Sequence, residues 1–167
     1  MFRQHPNFEQ RVLRVARTVG HTPAAERAVA RFSSLGEHGA LWLAIGAGGW
    51  LCDRPRRAQW RRAMATVGGT YALNTAIKLA VRRPRPSIPG LPPLTGTMTG
   101  LSFPSAHSST SFAGALTYSK LGLPRGPLLG LAGGLACSRL YLGVHYPSDV
   151  LAGALLGAAA AKRAHPR

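Results

Sequence analysis

The chain has 167 residues, enough for one domain with one core, and its 21 Lys and Arg against 5 Asp and Glu give a formal net charge of +16. This balance suits an anionic partner such as nucleic acid, an anionic lipid or a phosphorylated substrate. The alternation of apolar blocks with short blocks rich in Arg and Pro argues against a nucleic-acid-binding domain, and the two cysteines lack the spacing of a zinc site or a disulfide framework.

Residues 1–37 form a polar and basic segment in which apolar side chains recur at helical spacing. Phe8, Val12, Val15 and Val19 alternate with arginines, a pattern that predicts an amphipathic helix. Such a helix suits a membrane surface, and it equally suits a position covering the protein's own core. The segment lacks an apolar stretch followed by a small-residue cleavage site, so we expect no cleaved signal peptide.

Residues 38–167 contain five apolar blocks, which we predict to be the spans of a membrane-embedded domain. The blocks are rich in Gly and Ala, which let helices approach closely in lipid, and Cys52 and Cys137 within them are predicted to be buried thiols. The prediction is therefore an all-α integral-membrane helical bundle of about five spans with an N-terminal amphipathic surface helix. A sixth span within residues 8–37 is the alternative, although that stretch carries many arginines. The blocks are 39–52, 63–81, 105–123, 126–144 and 150–161.

Polar residues gather in three clusters at the ends of these blocks: residues 78–86, 102–107 and 138–149. They are functional candidates because burying charge in lipid is costly. Consecutive spans cross in alternate directions, so all three clusters fall on the same side of the bundle. We therefore expect seven side chains to converge there: Lys78, Arg85, Ser105, His107, Arg139, His145 and Asp149.

This set of side chains suits a tetrahedral oxyanion, which cations and the first turn of a helix bind well. Two histidines allow one to attack phosphorus while the other protonates the leaving oxygen. An attacking imidazole must be neutral and oriented, and Asp149, four residues after His145, is the carboxylate placed to do this. That pairing leaves His107 as the acid. Four residues also have a purely structural alternative as a helix cap or an interfacial charge: Lys78, Ser105, Arg139 and Asp149.

Three motifs in this order resemble the signature of the type 2 phosphatidic acid phosphatase superfamily: Lys78-x6-Arg85-Pro86, Pro104-Ser105-x-His107 and Ser138-Arg139-x5-His145-x3-Asp149. The resemblance spans residues 78–149 and does not cover residues 1–37. It implies a phosphatase that needs no metal or cofactor and forms a phosphohistidine on His145, supported by Asp149, with His107 as acid and then base. Many members have Gly where this chain has Ala106, but Ala keeps the backbone N–H. The phosphate-binding residues implied are Lys78, Arg85, Ser105, Ala106, His107 and Arg139.

The HYPSD segment and the short length are similar to actinobacterial members of that family. This likeness implies a polyprenyl-linked substrate such as decaprenylphosphoryl-5-phosphoribose in cell-wall synthesis. The alternatives are phosphatidic acid, phosphatidylglycerol phosphate and undecaprenyl diphosphate. From another functional class, the alternative is a non-catalytic membrane protein that binds lipid phosphates.

We expect a multi-pass protein of the bacterial plasma membrane whose partner is a lipid phosphate rather than a nucleic acid; the sequence does not give the oligomeric state. Ten basic residues lie in loops and the tail away from the three clusters. The positive-inside rule then places the active site on the extracytoplasmic face. The six arginines of residues 1–37 oppose this orientation, because five spans would put them on the site side.

Overall fold

The structure, a computed structural model, describes residues 8–164. Within that range the chain folds into seven α-helices, and its β structure is a single isolated bridge between Pro84 and Leu101. The predicted all-α class is confirmed. The helices are α1 (Phe8–Ala16), α2 (Pro23–Ser34), α3 (Ala40–Cys52), α4 (Arg57–Val81), α5 (Ala106–Ser119), α6 (Arg125–Tyr141) and α7 (Pro147–Arg163), with short 3-10 turns at Glu37–Gly39 and Arg54–Arg56.

Each of the five predicted apolar blocks corresponds to one helix, from α3 to α7. The largest difference is at α4, which begins at Arg57 rather than at Ala63. Arginine is a strong helix former, so a polar turn extends the helix without leaving a mark in the hydropathy. Among the described helices, none combines the length and the apolarity needed to cross a membrane.

Residues 8–34 form two helices rather than the one amphipathic helix that the apolar spacing predicts. The first ends at Ala16, and Gly20 adopts φ +73°, a left-handed conformation that lets the chain reverse. The second begins at Pro23, where the hydroxyl of Thr22 accepts a hydrogen bond from the N–H of Ala25 at 3.1 Å. The helix signals at Thr22 and Pro23 therefore begin a second helix beyond the predicted apolar stripe, which ends at Val19.

Helix α1 packs against α6 and α7, and its fully buried residue lies outside the predicted stripe. It buries Leu13 completely, and Arg17 just beyond it is buried and donates to the carbonyl oxygen of Pro92 at 2.6 Å. The helix thus covers the protein's own core while keeping an apolar face outward. The division into segments 1–37 and 38–167 stays a prediction, and residues 1–7 lie outside the described range. The exposed members of the predicted stripe are Phe8, Val15 and Val19.

Helix α5 lies at the centre of the bundle, packed against α4, α6 and α7. Its buried residues include the whole run from His107 to Ser111, as expected for a helix surrounded on all sides. Helix α7 approaches it most closely at two glycines. A Cβ on Gly153 would lie 2.5 Å from the backbone oxygen of Ser105, and one on Gly157 would meet the backbone of Ser109. Glycine at these positions therefore allows the α5–α7 distance.

The aromatic core and the polar clusters lie at opposite ends of α4. Trp42, Trp60 and Tyr118 pack together, and the Tyr118 hydroxyl donates to the carbonyl oxygen of Trp42 at 2.8 Å. Trp60 and Lys78 both lie on α4 and are separated along its axis by about 27 Å, since each helical residue rises about 1.5 Å. The aromatic core and the polar clusters therefore lie towards different ends of the bundle.

Basic residues gather at the end of the bundle that lies away from the cavity-forming polar clusters. We call it the basic end and define it by residues 53–62, 120–125 and 161–163. Arg56 donates to the carbonyl oxygen of Leu121 at 2.9 Å, and Lys120 donates to that of Ala161 at 2.9 Å. These contacts join the α3–α4 turn, the α5–α6 turn and the end of α7. The three loops that the sequence assigned to the side away from the clusters do lie together, while Arg167 is outside the described residues.

The prediction of buried cysteines is wrong. Cys52, at the end of α3, and Cys137, on α6, are both exposed in the structure. An apolar stretch in a sequence shows that a helix is apolar, but the packing of its neighbours decides which face turns outward.

Candidate active site

The three polar clusters meet at one end of the bundle around a cavity of about 640 Å³. Helices α4, α5 and α6 and the loops that precede α5 and α7 supply its walls. Ser105 and Asp149 do not line the cavity and are fully buried. The predicted site residues that line it are Lys78, Arg85, Ala106, His107, Arg139 and His145.

Three cations face this cavity, and their hydrogen-bond partners are uncharged. Lys78, in the last turn of α4, donates to two loop carbonyl oxygens at 3.2 Å each. Arg85 donates to the carbonyl oxygens of Thr99 and Val144 at 2.8 and 2.7 Å. Arg139 donates to the hydroxyl of Ser33 at 2.8 Å. Carbonyls and a hydroxyl orient the cations without neutralising them, so their charge remains available to an anion.

His145 lies between a cation and a carboxylate, and this fixes its tautomer. Its Nε2 is 3.3 Å from Nη1 of Arg85, and its Nδ1 is 3.5 Å from Oδ2 of Asp149. A guanidinium can only donate, so Nε2 is the acceptor and the ring proton sits on Nδ1, facing the carboxylate. The separation of 3.5 Å is longer than a formed hydrogen bond, and Nδ1 has no closer partner among the described residues. The Nε2 lone pair is thus held at the cavity wall.

Burial lowers the pKa of His145 to about 4, opposed by Asp149 and assisted by the positive charges of Arg85 and Arg139. The side chain is 3% exposed. A histidine with this pKa is neutral throughout the physiological range and retains its nucleophilic lone pair.

His107, at the second position of α5, lines the cavity and is held by α2. Its Nε2 is 3.0 Å from the backbone oxygen of Ser33, and a Cβ on Gly36 would lie 2.8 Å from its ring. A carbonyl oxygen only accepts, so Nε2 carries a proton and Nδ1 is the nitrogen left to bind or release one. The imidazole can therefore exchange protons inside the cavity while its orientation is fixed from behind.

Ser105 forms the N-cap of α5 rather than part of the cavity wall. Its Oγ accepts from the backbone N–H of Ser108 at 3.4 Å, and its own N–H donates to the backbone oxygen of Asp149 at 2.9 Å. This is the structural alternative that the sequence left open for this serine. It locks the start of α5 to the start of α7, and so sets the position of the N–H groups that follow it.

Three residues outside the predicted set also support the site. Ser33 contacts both His107 and Arg139, while Arg83 and Glu9 bond to one another and Arg83 to Asp149. The sequence places Arg83 within the first cluster but gives no reason to separate it from its neighbours. For Ser33 and Glu9 it holds no local signal, because their partners are 74 or more residues away.

Within residues 8–164, the remaining wall of the cavity carries no Lys or Arg and mixes polar groups with the apolar surface of Tyr71 and Met98. Asn74 lies one turn before Lys78 on α4, is fully buried, and its Oδ1 has no hydrogen-bond partner among the described residues. Glu37 and His38, from the 3-10 turn after α2, lie at the exposed rim. The loop before α5 adds Thr95, Thr97 and Thr99. This wall offers hydrogen-bonding groups, and one negative charge, opposite the cations.

The sequence profile of the PAP2 superfamily matches residues 59–166 of the chain. Curated relatives are similar over most of its length. A decaprenylphosphoryl-5-phosphoribose phosphatase from Mycolicibacterium smegmatis is 43% identical over 122 residues, covering 72% of this chain and 67% of that protein. The protein of the same name from Mycobacterium tuberculosis is 42% identical over 127 residues, covering 75% and 71%.

Two solved structures share the fold. The transmembrane PAP2 type phosphatidylglycerolphosphate phosphatase from Bacillus subtilis superposes with a TM-score of 0.79 at 24% identity, covering 92% of this chain and 81% of that one. LpxE from Aquifex aeolicus superposes with a TM-score of 0.81 at 22% identity, covering 98% of both chains. The all-helical arrangement is thus similar to that of a transmembrane phosphatase.

Proposed function

The chain belongs to the PAP2 superfamily, and from this premise we propose that it is a phosphatase that removes a phosphate group from a membrane lipid phosphate through a phosphohistidine on His145. One observation carries the proposal: a single cavity receives three cations and two imidazoles from separate parts of the chain. Those residues are Lys78, Arg85, Arg139, His107 and His145.

In the proposed ground state the phosphate lies among the three cations. Lys78, Arg85 and Arg139 bind its oxygens, replacing some of the carbonyl contacts they now make. The first-turn N–H groups of Ala106 and His107 add donors at the positive end of α5. Ser105 contributes by capping that turn.

In the first chemical step Nε2 of His145 attacks phosphorus. The bond from phosphorus to the leaving oxygen breaks, its electron pair stays on that oxygen, and His107 supplies the proton that makes an alcohol. The phosphorylated imidazole is positively charged while it keeps its Nδ1 proton, and the carboxylate of Asp149 stabilises that charge.

In the second step His107 takes a proton from water, and the oxygen of that water attacks the phosphohistidine. The N–P bond breaks and its electron pair returns to Nε2. Inorganic phosphate leaves, and His145 regains the neutral tautomer in which it began. These residues supply nucleophile, acid and base, so the proposed cycle needs no metal or cofactor.

For the substrate we propose decaprenylphosphoryl-5-phosphoribose, used in cell-wall synthesis. Two relatives above 40% identity carry that name. The polar wall supports it, because the carboxylate of Glu37, the free Oδ1 of Asn74 and the threonine hydroxyls suit the hydroxyls of a sugar. The alternatives are phosphatidic acid, phosphatidylglycerol phosphate and undecaprenyl diphosphate.

We also propose that helices α3 to α7 lie in the bacterial plasma membrane, with the cavity at the extracytoplasmic face. The likeness to a transmembrane phosphatase supports this location. So do large apolar side chains that remain exposed on the outer faces of α3, α4 and α7. The basic end, opposite the cavity, suits the cytoplasmic side. The exposed leucines are Leu43, Leu51, Leu73, Leu79, Leu151 and Leu155.

The test is phosphate release by the detergent-purified protein from a panel of these lipid phosphates, with and without EDTA. The expected result is turnover that survives EDTA, is fastest with the phosphoribose lipid, and disappears in His145→Ala. The matched control is Arg61→Ala, an exposed cation on α4 at the basic end. Equal turnover in His145→Ala and Arg61→Ala would exclude the proposed nucleophile, and lipid binding without turnover would favour a non-catalytic lipid-phosphate-binding protein.

The choice of substrate has its own test in Glu37→Gln. Loss of the carboxylate is expected to raise KM for the phosphoribose lipid, whose hydroxyls it would bind, and not to raise KM for phosphatidic acid, which lacks a sugar. Equal changes in KM for both lipids would show that Glu37 does not bind the sugar, and the polar wall would then no longer support this substrate.

A further inference from the structure

One arginine joins two carboxylates from opposite ends of the described chain. Arg83, in the loop after α4, donates from Nη1 to Oδ1 of Asp149 at 2.8 Å and from Nη2 to Oε2 of Glu9 at 2.6 Å. Asp149 belongs to α7 and Glu9 to α1. The guanidinium therefore connects the N-terminal helix to the carboxylate behind His145.

The arginine is fixed by more than these two bonds. Its Nη1 also donates to the hydroxyl of Ser148 at 2.6 Å, and its guanidinium lies over the ring of Tyr146, 4.1 Å from the centroid. Glu9 uses its second oxygen to accept from the backbone N–H of Ser148 at 3.0 Å. Glu9 thus holds Arg83 and the first turn of α7 together.

Both carboxylate oxygens of Asp149 therefore have identified partners. Oδ1 accepts from Arg83, while Oδ2 accepts from the backbone N–H of Tyr146 at 2.8 Å and faces Nδ1 of His145. The side chain of Asp149 has no exposed surface. A carboxylate in such a place stays ionised only if a cation or several donors compensate for lost hydration, and Arg83 is the cation in contact with it.

We propose that Arg83 is a positioning residue for the His145–Asp149 pair, and that Glu9 of α1 holds Arg83 in its working orientation. The role assigned to the pair rests on the proposed function. Arg83 does not line the cavity, so it acts by keeping Asp149 charged and turned toward Nδ1 of His145. Helix α1, which precedes the matched residues 59–166, then becomes part of the catalytic apparatus.

The neighbouring Arg82 gives a matched control. It has the same charge in the same loop, but it is exposed and its Nε donates to the carbonyl oxygen of Leu79 at 3.1 Å. Glu26 is the corresponding control for Glu9, because it lies on α2 and pairs with His21 at 3.0 Å.

The experiment measures kcat and KM of the full chain in Arg83→Gln, Arg83→Lys and Arg82→Gln. We expect Arg83→Gln to lower kcat roughly 10- to 100-fold, the size of effect known for groups that orient metal-binding histidines. KM should change less than about twofold because no phosphate contact is lost. Arg83→Lys should recover part of kcat by restoring the charge. Arg82→Gln should match the wild type. A higher KM with unchanged kcat in Arg83→Gln would instead make Arg83 a phosphate ligand and overturn the proposal.

The pH profile separates this role from a merely structural one. Removing the positive charge of Arg83 favours the protonated form of the His145–Asp149 pair, so the acid limb of kcat/KM that His145 sets should move to higher pH in Arg83→Gln. An unmoved limb together with a lower thermal midpoint would mean that Arg83 only stabilises the fold. Glu9→Gln should lower kcat less than Arg83→Gln, and the double variant should be no worse than Arg83→Gln alone. If the losses of kcat in Glu9→Gln and Arg83→Gln are fully additive, or if Glu26→Gln lowers kcat as much as Glu9→Gln, Glu9 does not act through Arg83.

A measurement without turnover keeps this inference separate from the proposed function. The titration of His145, followed by 15N NMR of histidine-labelled protein, should shift in Arg83→Gln and not in Arg82→Gln. A shift in a protein that shows no phosphatase activity would uphold the positioning and refute the function. If the protein is an active phosphatase and the titration of His145 does not shift in Arg83→Gln, the proposed function stands and the positioning role of Arg83 is refuted.

Discussion

At the residue scale, one serine contacts two side chains of the proposed active site. Ser33, the penultimate residue of α2, accepts from Arg139 with its hydroxyl and from His107 with its backbone oxygen. The hydroxyl of Ser138 lies 2.9 Å from the same Oγ. Ser33 is 1% exposed, so water cannot replace these contacts. A side-chain substitution removes the contact with Arg139 and leaves the carbonyl contact with His107.

Ser33→Ala is therefore expected to weaken phosphate binding more than it slows the chemistry. Loss of a hydrogen bond to a charged group costs about 1.5 kcal/mol, which corresponds to a rise in KM of roughly tenfold. Steady-state kinetics on the lipid substrate measures this. Ser34→Ala is the control, because the exposed Ser34 hydroxyl donates to the carbonyl oxygen of Arg31 in its own helix. An unchanged KM in Ser33→Ala would show that Arg139 is oriented without this serine.

The low pKa of His145 predicts how the free enzyme responds to acid. Its pKa is about 4 in the folded protein and about 6.5 in the unfolded chain, so the unfolded chain binds the extra proton between these values. Stability that is fully present above pH 6.5 is lost as pH falls toward 4, and the His145 limb of kcat/KM lies near pH 4. A kcat/KM profile and thermal midpoints over this range measure both effects. A His145 titration near pH 6.5 by histidine NMR would contradict them.

At the element scale, the position of α7 against α5 sets where the Asp149 carboxylate lies beside His145, the proposed nucleophile. Asp149 lies in the first turn of α7, and the backbone oxygen of Asp149 accepts from the N–H of Ser105 at the start of α5. Gly153, one turn further, packs directly against the backbone of α5. Because backbone cannot move aside as a side chain can, an added methyl must push the two helices apart.

Gly153→Ala is expected to destabilise the fold by about 1–3 kcal/mol, as overpacking usually does, and to lower kcat by displacing Asp149. Gly130→Ala on α6 is the matched control, since a Cβ there meets nothing within 4 Å. Thermal unfolding in detergent and steady-state kinetics measure the two effects. Equal thermal midpoints for the two variants would show that α5 and α7 can accommodate a methyl group at position 153.

At the scale of the whole molecule, the two ends of the bundle differ in charge and in the groups they carry. The cavity opens at one end, and the basic end holds the arginines of the α3–α4 turn at the other. Together these give the protein an orientation that a membrane with an anionic cytoplasmic leaflet would favour. The exposed Cys52 lies at the basic end, and the exposed Thr97 lies at the rim of the cavity.

These two positions predict the result of thiol labelling in cells. With Cys137 replaced by serine, a membrane-impermeant maleimide should label Cys52 only after the cells are permeabilised. In a chain with both native cysteines replaced, Thr97→Cys should be labelled in intact cells. The reverse pattern would place the active site on the cytoplasmic side.

The sequence by itself determined the family and the order of the helices. The three motifs named the three cations and two of the histidines that line the cavity, and the hydropathy located α3 to α7, because motif spacing and apolar blocks are local properties of the chain. Only the tertiary structure decided which distant residues hold the site residues in place. The contact of Glu9 with Arg83 joins residues 74 positions apart, and that of Ser33 with Arg139 joins residues 106 positions apart. Packing also turned Ser105 into a cap and Cys52 outward. No local pattern encodes such contacts, since they exist only once separate helices have packed together.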